Sequence, residues 1–116
     1  MAVTQKTTDN FVIDQGADFS RTLTITTDGS TAYDISGLTI QAQMRKGYSS
    51  TTRTATFTCT IVSGTAGTYK LALTDTITAA IDAGRYVYDV ELILADSTIE
   101  KVHSGIITVN PEVTKF

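Results

Sequence analysis

Apolar residues recur at every second position over most of this chain, the spacing that places them on one face of a β-strand. The longest such run covers residues 84–97. Tyr86, Tyr88, Val90, Leu92 and Leu94 share one face there, and Arg85, Asp89 and Glu91 share the other. Shorter strands are predicted at 11–14, at 18–27 with Phe19, Leu23 and Ile25 inward, and at 38–45 with Leu38, Ile40, Ala42 and Met44 inward. Two more follow at 54–62, with Ala55, Phe57, Cys59 and Ile61 inward, and at 68–73, with Tyr69, Leu71 and Leu73 inward. Arg21 interrupts the inward series of its strand, which points to a strand end or a bulge. In the last strand, 99–109, the apolar series changes face around Gly105, so a bulge is predicted there. Asp28-Gly29, Ser36-Gly37 and the two glycines of 63–67 supply turns. The one helical signal lies at about 75–83: Thr74 or Asp75 can cap it, Ile77 and Ile81 are four apart, and Gly84 can stop it. About seven short strands with turns between them predict an all-β fold, a sandwich whose sheets are linked by that short helical crossover.

Composition narrows the function more than it names one. The 116 residues suit one domain, with a sandwich at 10–110, an N-terminal arm at 1–9 and a C-terminal arm at 111–116. The net charge is −3, and the nine Lys and Arg residues are scattered, so nucleic acid is not an expected partner. No apolar run has the roughly 18 residues of a membrane span. Residues 1–9 contain no apolar segment of the kind that a secretory signal needs. Cys59 is the sole cysteine, which excludes an intrachain disulfide and suits a reducing compartment. Threonines at 22, 24 and 26, and at 54, 56, 58 and 60, predict strand faces that are polar without being charged.

Candidate chemistry is sparse. His103 is the only histidine and reads as structural, and Cys59 falls in the inward series of its strand as a small buried hydrophobe. Asp9, Asp14 and Asp18 cluster near the first turn, but their spacing matches no calcium loop and suits turn chemistry. Asp82 and Asp89 would form an acid–base pair only if the fold brought them together. Tyr33, Tyr48, Tyr86 and Tyr88 could offer a carbohydrate platform, although Tyr86 and Tyr88 alternate into the core face. No catalytic residue, cofactor or metal ligand is expected. The one candidate site is a partner-contact loop at 46–53, with charge from Arg45, Lys46 and Arg53 and an aromatic anchor in Tyr48.

Five ordered segments carry a family resemblance: Ile13-Asp14-Gln15-Gly16-Ala17-Asp18-Phe19, then Tyr33-Asp34-Ile35-Ser36-Gly37-Leu38, then Gln43-Met44-Arg45-Lys46. The fourth runs from Leu73-Thr74 to Gly84-Arg85-Tyr86-Val87-Tyr88-Asp89-Val90-Glu91. The fifth is Gly105-Ile106-Ile107-Thr108-Val109-Asn110-Pro111-Glu112-Val113-Thr114. In order and spacing the chain resembles the small immunoglobulin-like virion proteins of tailed bacteriophages. The resemblance implies an immunoglobulin-like sandwich and a non-enzymatic structural role, docking to neighbouring subunits of the tail, baseplate or neck. Head (capsid) decoration and a host-surface or carbohydrate-binding module are the alternatives; an extracellular adhesin domain would require a signal segment. The implied partners are other virion proteins, with several copies or a homo-oligomer in the particle and neither nucleic acid nor membrane. The implied location is the virion, after synthesis in the host cytoplasm.

Overall fold

The structure, a computed structural model, describes residues 7–26, 31–47, 49–50 and 53–112. The turn predicted at Asp28-Gly29, Tyr48 of the contact loop, and the chain ends at 1–6 and 113–116 lie outside the described residues. Among the described residues the chain forms β1 (Thr7–Thr8), β2 (Phe11–Asp14), β3 (Phe19–Thr24), β4 (Thr39–Arg45), β5 (Ala55–Thr56) and β6 (Thr58–Ser63). These are followed by β7 (Thr68–Leu73), α1 (Asp75–Ala79), β8 (Gly84–Ile93) and β9 (Ile99–Asn110). One sheet runs β1-β9-β8-β4-β5, with β2 also on β9, and the other runs β3-β7-β6.

The nine strands lie along seven lines. β1 and β2 pair with β9 in parallel and in one register, Thr7 opposite His103 and Phe11 opposite Ile107, so they are one strand broken at Asp9-Asn10. β5 and β6 are one stretch that pairs with β4, turns inward at buried Phe57, and then pairs with β7 in the other sheet. The result is an immunoglobulin-like sandwich. β3, β7 and β6 take the places of strands B, E and D, and β4, β8 and β9 those of C, F and G. β8 carries the corner tyrosine of that fold, since the Tyr86 hydroxyl donates to the Asp82 carbonyl four residues upstream at 2.7 Å.

Period-two patterning explains the core. Tyr86, Tyr88, Val90 and Leu92 from β8, Ala42 and Met44 from β4, and Tyr69, Leu71 and Leu73 from β7 are all buried between the sheets. Aromatic rings bridge the layers at one end. Phe11 stacks on Tyr88 with centroids 4.6 Å apart, and Phe57 meets Tyr88 edge-on at 6.5 Å.

Several local expectations are corrected. β3 is regular across Arg21, pairing from Phe19–Leu73 to Thr24–Thr68 without a bulge. Arg21 points inward at the margin of the sandwich, with its guanidinium 5.0 Å from the Phe11 ring and its Nη2 donating to both Asp9 carboxylate oxygens at 2.9 and 3.0 Å. The β9 bulge lies at Val102, which is skipped as pairing passes from Val90–His103 to Glu91–Lys101; Gly105 itself pairs in register with Tyr88. The helix is shorter than 75–83. It ends at Ala79, with Ala80 right-handed, while Gly84 opens β8 and Ile77 is 40% exposed. Its first turn is capped from a distance, because Asp18 Oδ1 accepts from the Asp75 amide at 2.8 Å and Thr74 makes no side-chain cap. Part of the expected N-terminal arm is scaffold, since Thr7 and Thr8 pair with β9 and the Asp9 amide donates to the Ser104 carbonyl at 3.0 Å.

Gly105 allows that first strand to cross. A Cβ on Gly105 would lie 2.3 Å from the Asp9 carbonyl oxygen, the same oxygen that accepts from the Tyr88 hydroxyl at 2.5 Å. The Asn10 side chain closes the break by accepting from the Ile106 amide at 2.9 Å. Gly105→Ala is therefore expected to push β1 off β9 and lower unfolding stability by about 1–3 kcal/mol in a urea titration. Ile106→Ala, on the exposed neighbour, is expected to stay within about 0.5 kcal/mol of the parent.

Candidate partner-contact surface

The predicted contact residues are set at the end of β4, where the chain leaves the sheet opposite the start of β8. Arg45 pairs with Val87 in that register. Its guanidinium turns back on its own loop, with Nη1 donating to the Ser50 carbonyl at 3.2 Å and Nη2 to Gln43 Oε1 at 3.0 Å. Lys46 places its ammonium 4.7 Å from the centre of the Tyr86 ring, over the corner tyrosine. Arg53 is exposed at the far side of the loop. Arg45 and Lys46 thus shape the loop and brace the corner of the sandwich, leaving Arg53 as the outward cation of the predicted set.

Beside the loop, the outer face of β4 and β8 forms a polar trough. Gln41, Gln43 and Arg45 stand opposite Glu91, Asp89 and Val87. Gln41 Nε2 donates to Glu91 Oε1 at 3.1 Å, and Asp89 pairs with Lys101 of β9 at 3.4 Å. Two shallow hollows of about 140 and 230 Å³ open along it, sharing Gln43, Arg45 and Asp89. Every charge in the trough faces an opposite or neutral partner, so its surface is polar but nearly balanced.

The remaining candidates are drawn apart. Asp9 holds Arg21, Asp14 accepts from Asn110 Nδ2 at 3.3 Å, and Asp18 caps α1, so the three carboxylates do not converge. Asp82 supports the corner through its carbonyl, whereas Asp89 sits in the trough. Among the described residues no group of three or more His, Cys, Asp and Glu side chains could hold a metal ion. Tyr86 and Tyr88 are core residues, and Tyr33 is half-buried beside an open hollow of about 500 Å³ with Leu38, Leu94 and Asp96. Cys59 is half-buried; desolvation pushes its thiol up to about 11, so it is protonated at neutral pH and a poor nucleophile. Among the described residues no helix is long and apolar enough to cross a membrane.

Among the described residues Tyr69 and His103 form a buried polar pair between the sheets. Tyr69 is fully buried and His103 is 4% exposed, and the Tyr69 hydroxyl bonds His103 Nδ1 across the interior. Burial pulls the imidazole below its ordinary 6.5; a hydrogen bond to the Thr24 backbone and the Asp9 carboxylate work the other way with less force. Period-two reading of β9 assigns His103 a place but misses this partner. The pairing depends on the bulge at Val102, which puts Val102 and His103 on the inside together.

No family model matches the chain, and no curated protein matches it. Among solved structures it is similar to an internalin-like protein of Listeria monocytogenes, at 16% sequence identity and a TM-score of 0.46, over 91% of this chain. The chain spans 28% of the length of that protein.

A neutral His103 in the fold and an ordinary histidine in the unfolded chain make stability depend on pH. Below the unfolded value of 6.5 the unfolded chain binds a proton that the folded chain resists, so stability falls as pH falls. Thermal melts are expected to show a midpoint that drops between about pH 7.5 and about pH 5.5. His103→Gln, which keeps an acceptor for Tyr69 and cannot titrate in this range, is expected to flatten that slope. An equal slope in both proteins would show that His103 is not its source.

Proposed function

We propose that this chain is a non-enzymatic structural subunit of a tailed-phage virion that docks to neighbouring subunits of the tail, baseplate or neck. The observation that carries the reading is the ordered set of five segments between residues 13 and 114 that resembles small immunoglobulin-like virion proteins. The places these segments take in the fold support it. Gly84–Glu91 supplies the corner tyrosine and the central strand β8, and Gly105–Asn110 supplies the strand on which the first strand lies. Residues 33–38 pack Ile35 under the β6–β7 turn, where its amide donates to the Gly64 carbonyl at 2.8 Å. On this reading the framework that these segments build is what the chain contributes to the particle. The arrangement of side chains agrees with a docking role, since the charged groups of the trough and loop brace the scaffold rather than converge on one point.

Mass spectrometry of gradient-purified particles from the phage that encodes the chain tests the proposal. The chain is expected to band with the major capsid protein at a fixed ratio. A copy number near six or twelve is expected for a neck or baseplate place, and one in the hundreds would move it to the head or tail tube. A chain left in the soluble lysate, with none in particles, would refute the virion role.

A further inference from the structure

The two sheets present four edges, and three of them are blunted. β3 carries the inward-pointing Arg21, held by Asp9. The β1–β2 edge is broken at Asp9-Asn10, and β5 is two residues long. Such devices keep sheet edges from pairing with other chains. β6 differs. It ends the β3-β7-β6 sheet and has no strand partner on its far side among the described residues. The whole stretch 54–63, Thr-Ala-Thr-Phe-Thr-Cys-Thr-Ile-Val-Ser, contains no charged residue, no proline and no glycine. Its residues are strong strand formers. Thr58, Thr60 and Val62 face outward, with Val62 59% exposed. A bulge between Ile61 and Ser63 limits the regular edge to Thr58–Ile61 and so restricts the registers another strand can adopt.

We infer that the β6 edge is a homotypic docking site, where β6 of a second copy adds in antiparallel orientation to make one continuous six-stranded sheet. Self-pairing is favoured over an unrelated charged peptide because an uncharged edge brings no like charges into opposition and offers none to attract an ionic partner. A two-fold axis at Thr60 sets Thr60 against its own copy and Cys59 against Ile61, all within the regular edge before the bulge. These are threonine–threonine and small–apolar pairs of the kind that stabilise antiparallel ladders. The nearest outward cation, Lys70, pairs with Thr60 on β7. Across the axis it lies three strand spacings from its copy, roughly 14 Å, which is beyond the screening length of about 8 Å at physiological salt. The contact is short and therefore weak in dilute solution. It gains strength where neighbouring copies are held at high effective concentration. The inference stands independently of the virion reading.

Sedimentation across a concentration series, with the full chain and two variants, tests it. The parent is expected to show a concentration-dependent dimer. Thr60→Glu places a carboxylate beside Lys70 of its own sheet, so the fold is kept, but sets two carboxylates face to face across the axis. It is expected to weaken dimerisation at least tenfold with an unchanged melting curve. In a Cys59→Ser background, Thr60→Cys brings two thiols into opposition at a Cα separation of about 4.5–5.5 Å, within disulfide range. Mild oxidation is expected to give a covalent dimer from it and none from Ser20→Cys on β3. A chain that stays monomeric, that dimerises equally with Thr60→Glu, or that cross-links equally from Ser20→Cys would overturn the proposal.

Discussion

Among the described residues the two sheets are tied by a buried polar contact, the bond between Tyr69 of β7 and His103 of β9. Apolar packing supplies most of the attraction between the sheets, but it is not directional and tolerates sliding. A buried hydroxyl and a buried imidazole tolerate much less. Leaving either without its partner would cost about 1–3 kcal/mol. The pair therefore fixes where β9 must lie on β7, and with it the bulge at Val102 that turns His103 inward. The Thr24 backbone at the end of β3 is a second anchor for the same ring, so three strands from both sheets meet at one side chain.

A second knot stands next to it at Asp9. The Asp9 carboxylate takes Arg21 from the opposite sheet, its carbonyl takes Tyr88 from the core, and its amide reaches the Ser104 carbonyl on β9. Gly105 makes room for all three by leaving the space under Asp9 empty of a side chain. A short parallel strand without such support would be marginal, since parallel pairing is slightly less stable per residue than antiparallel pairing. Here the strand is fastened where it breaks. Arg21 stays in contact with solvent at the rim, its charge paired with Asp9 and its guanidinium 5.0 Å from the Phe11 ring.

Strand patterning was legible in the sequence because burial on one face repeats every two residues whatever the partner strand. Tyr86, Tyr88, Val90 and Leu92 could be assigned to the core without knowledge of the fold. The features that were not legible depend on contacts distant in sequence. Arg21 looked like a break because its partner Asp9 comes from another strand. Gly105 looked like a bulge because the crossing of β1 leaves no mark near it. The helix looked longer because Gly84 fits a stop signal equally well as the entry of a strand. The candidate loop was found by its charges, but pattern alone could not foresee that Arg45 would turn back to Ser50 or that Lys46 would lie on Tyr86.

These internal commitments bear on how the chain can recognise anything. Asp9, Asp18, Arg21, Arg45, Lys46 and Asp89 are each engaged in capping, bracing or pairing within the fold. Among the described residues the sandwich offers outward a nearly balanced polar trough, threonine-rich strand faces and the open β6 edge, with Arg53 as an outward cation beside the trough. Recognition built on such a surface rests on shape and backbone hydrogen bonding more than on charge, and so depends little on ionic strength. On the proposed reading, that property suits a subunit held among fixed neighbours, where orientation is supplied by the assembly. It suits less well a protein that must capture a charged ligand from solution, for which long-range attraction accelerates encounter.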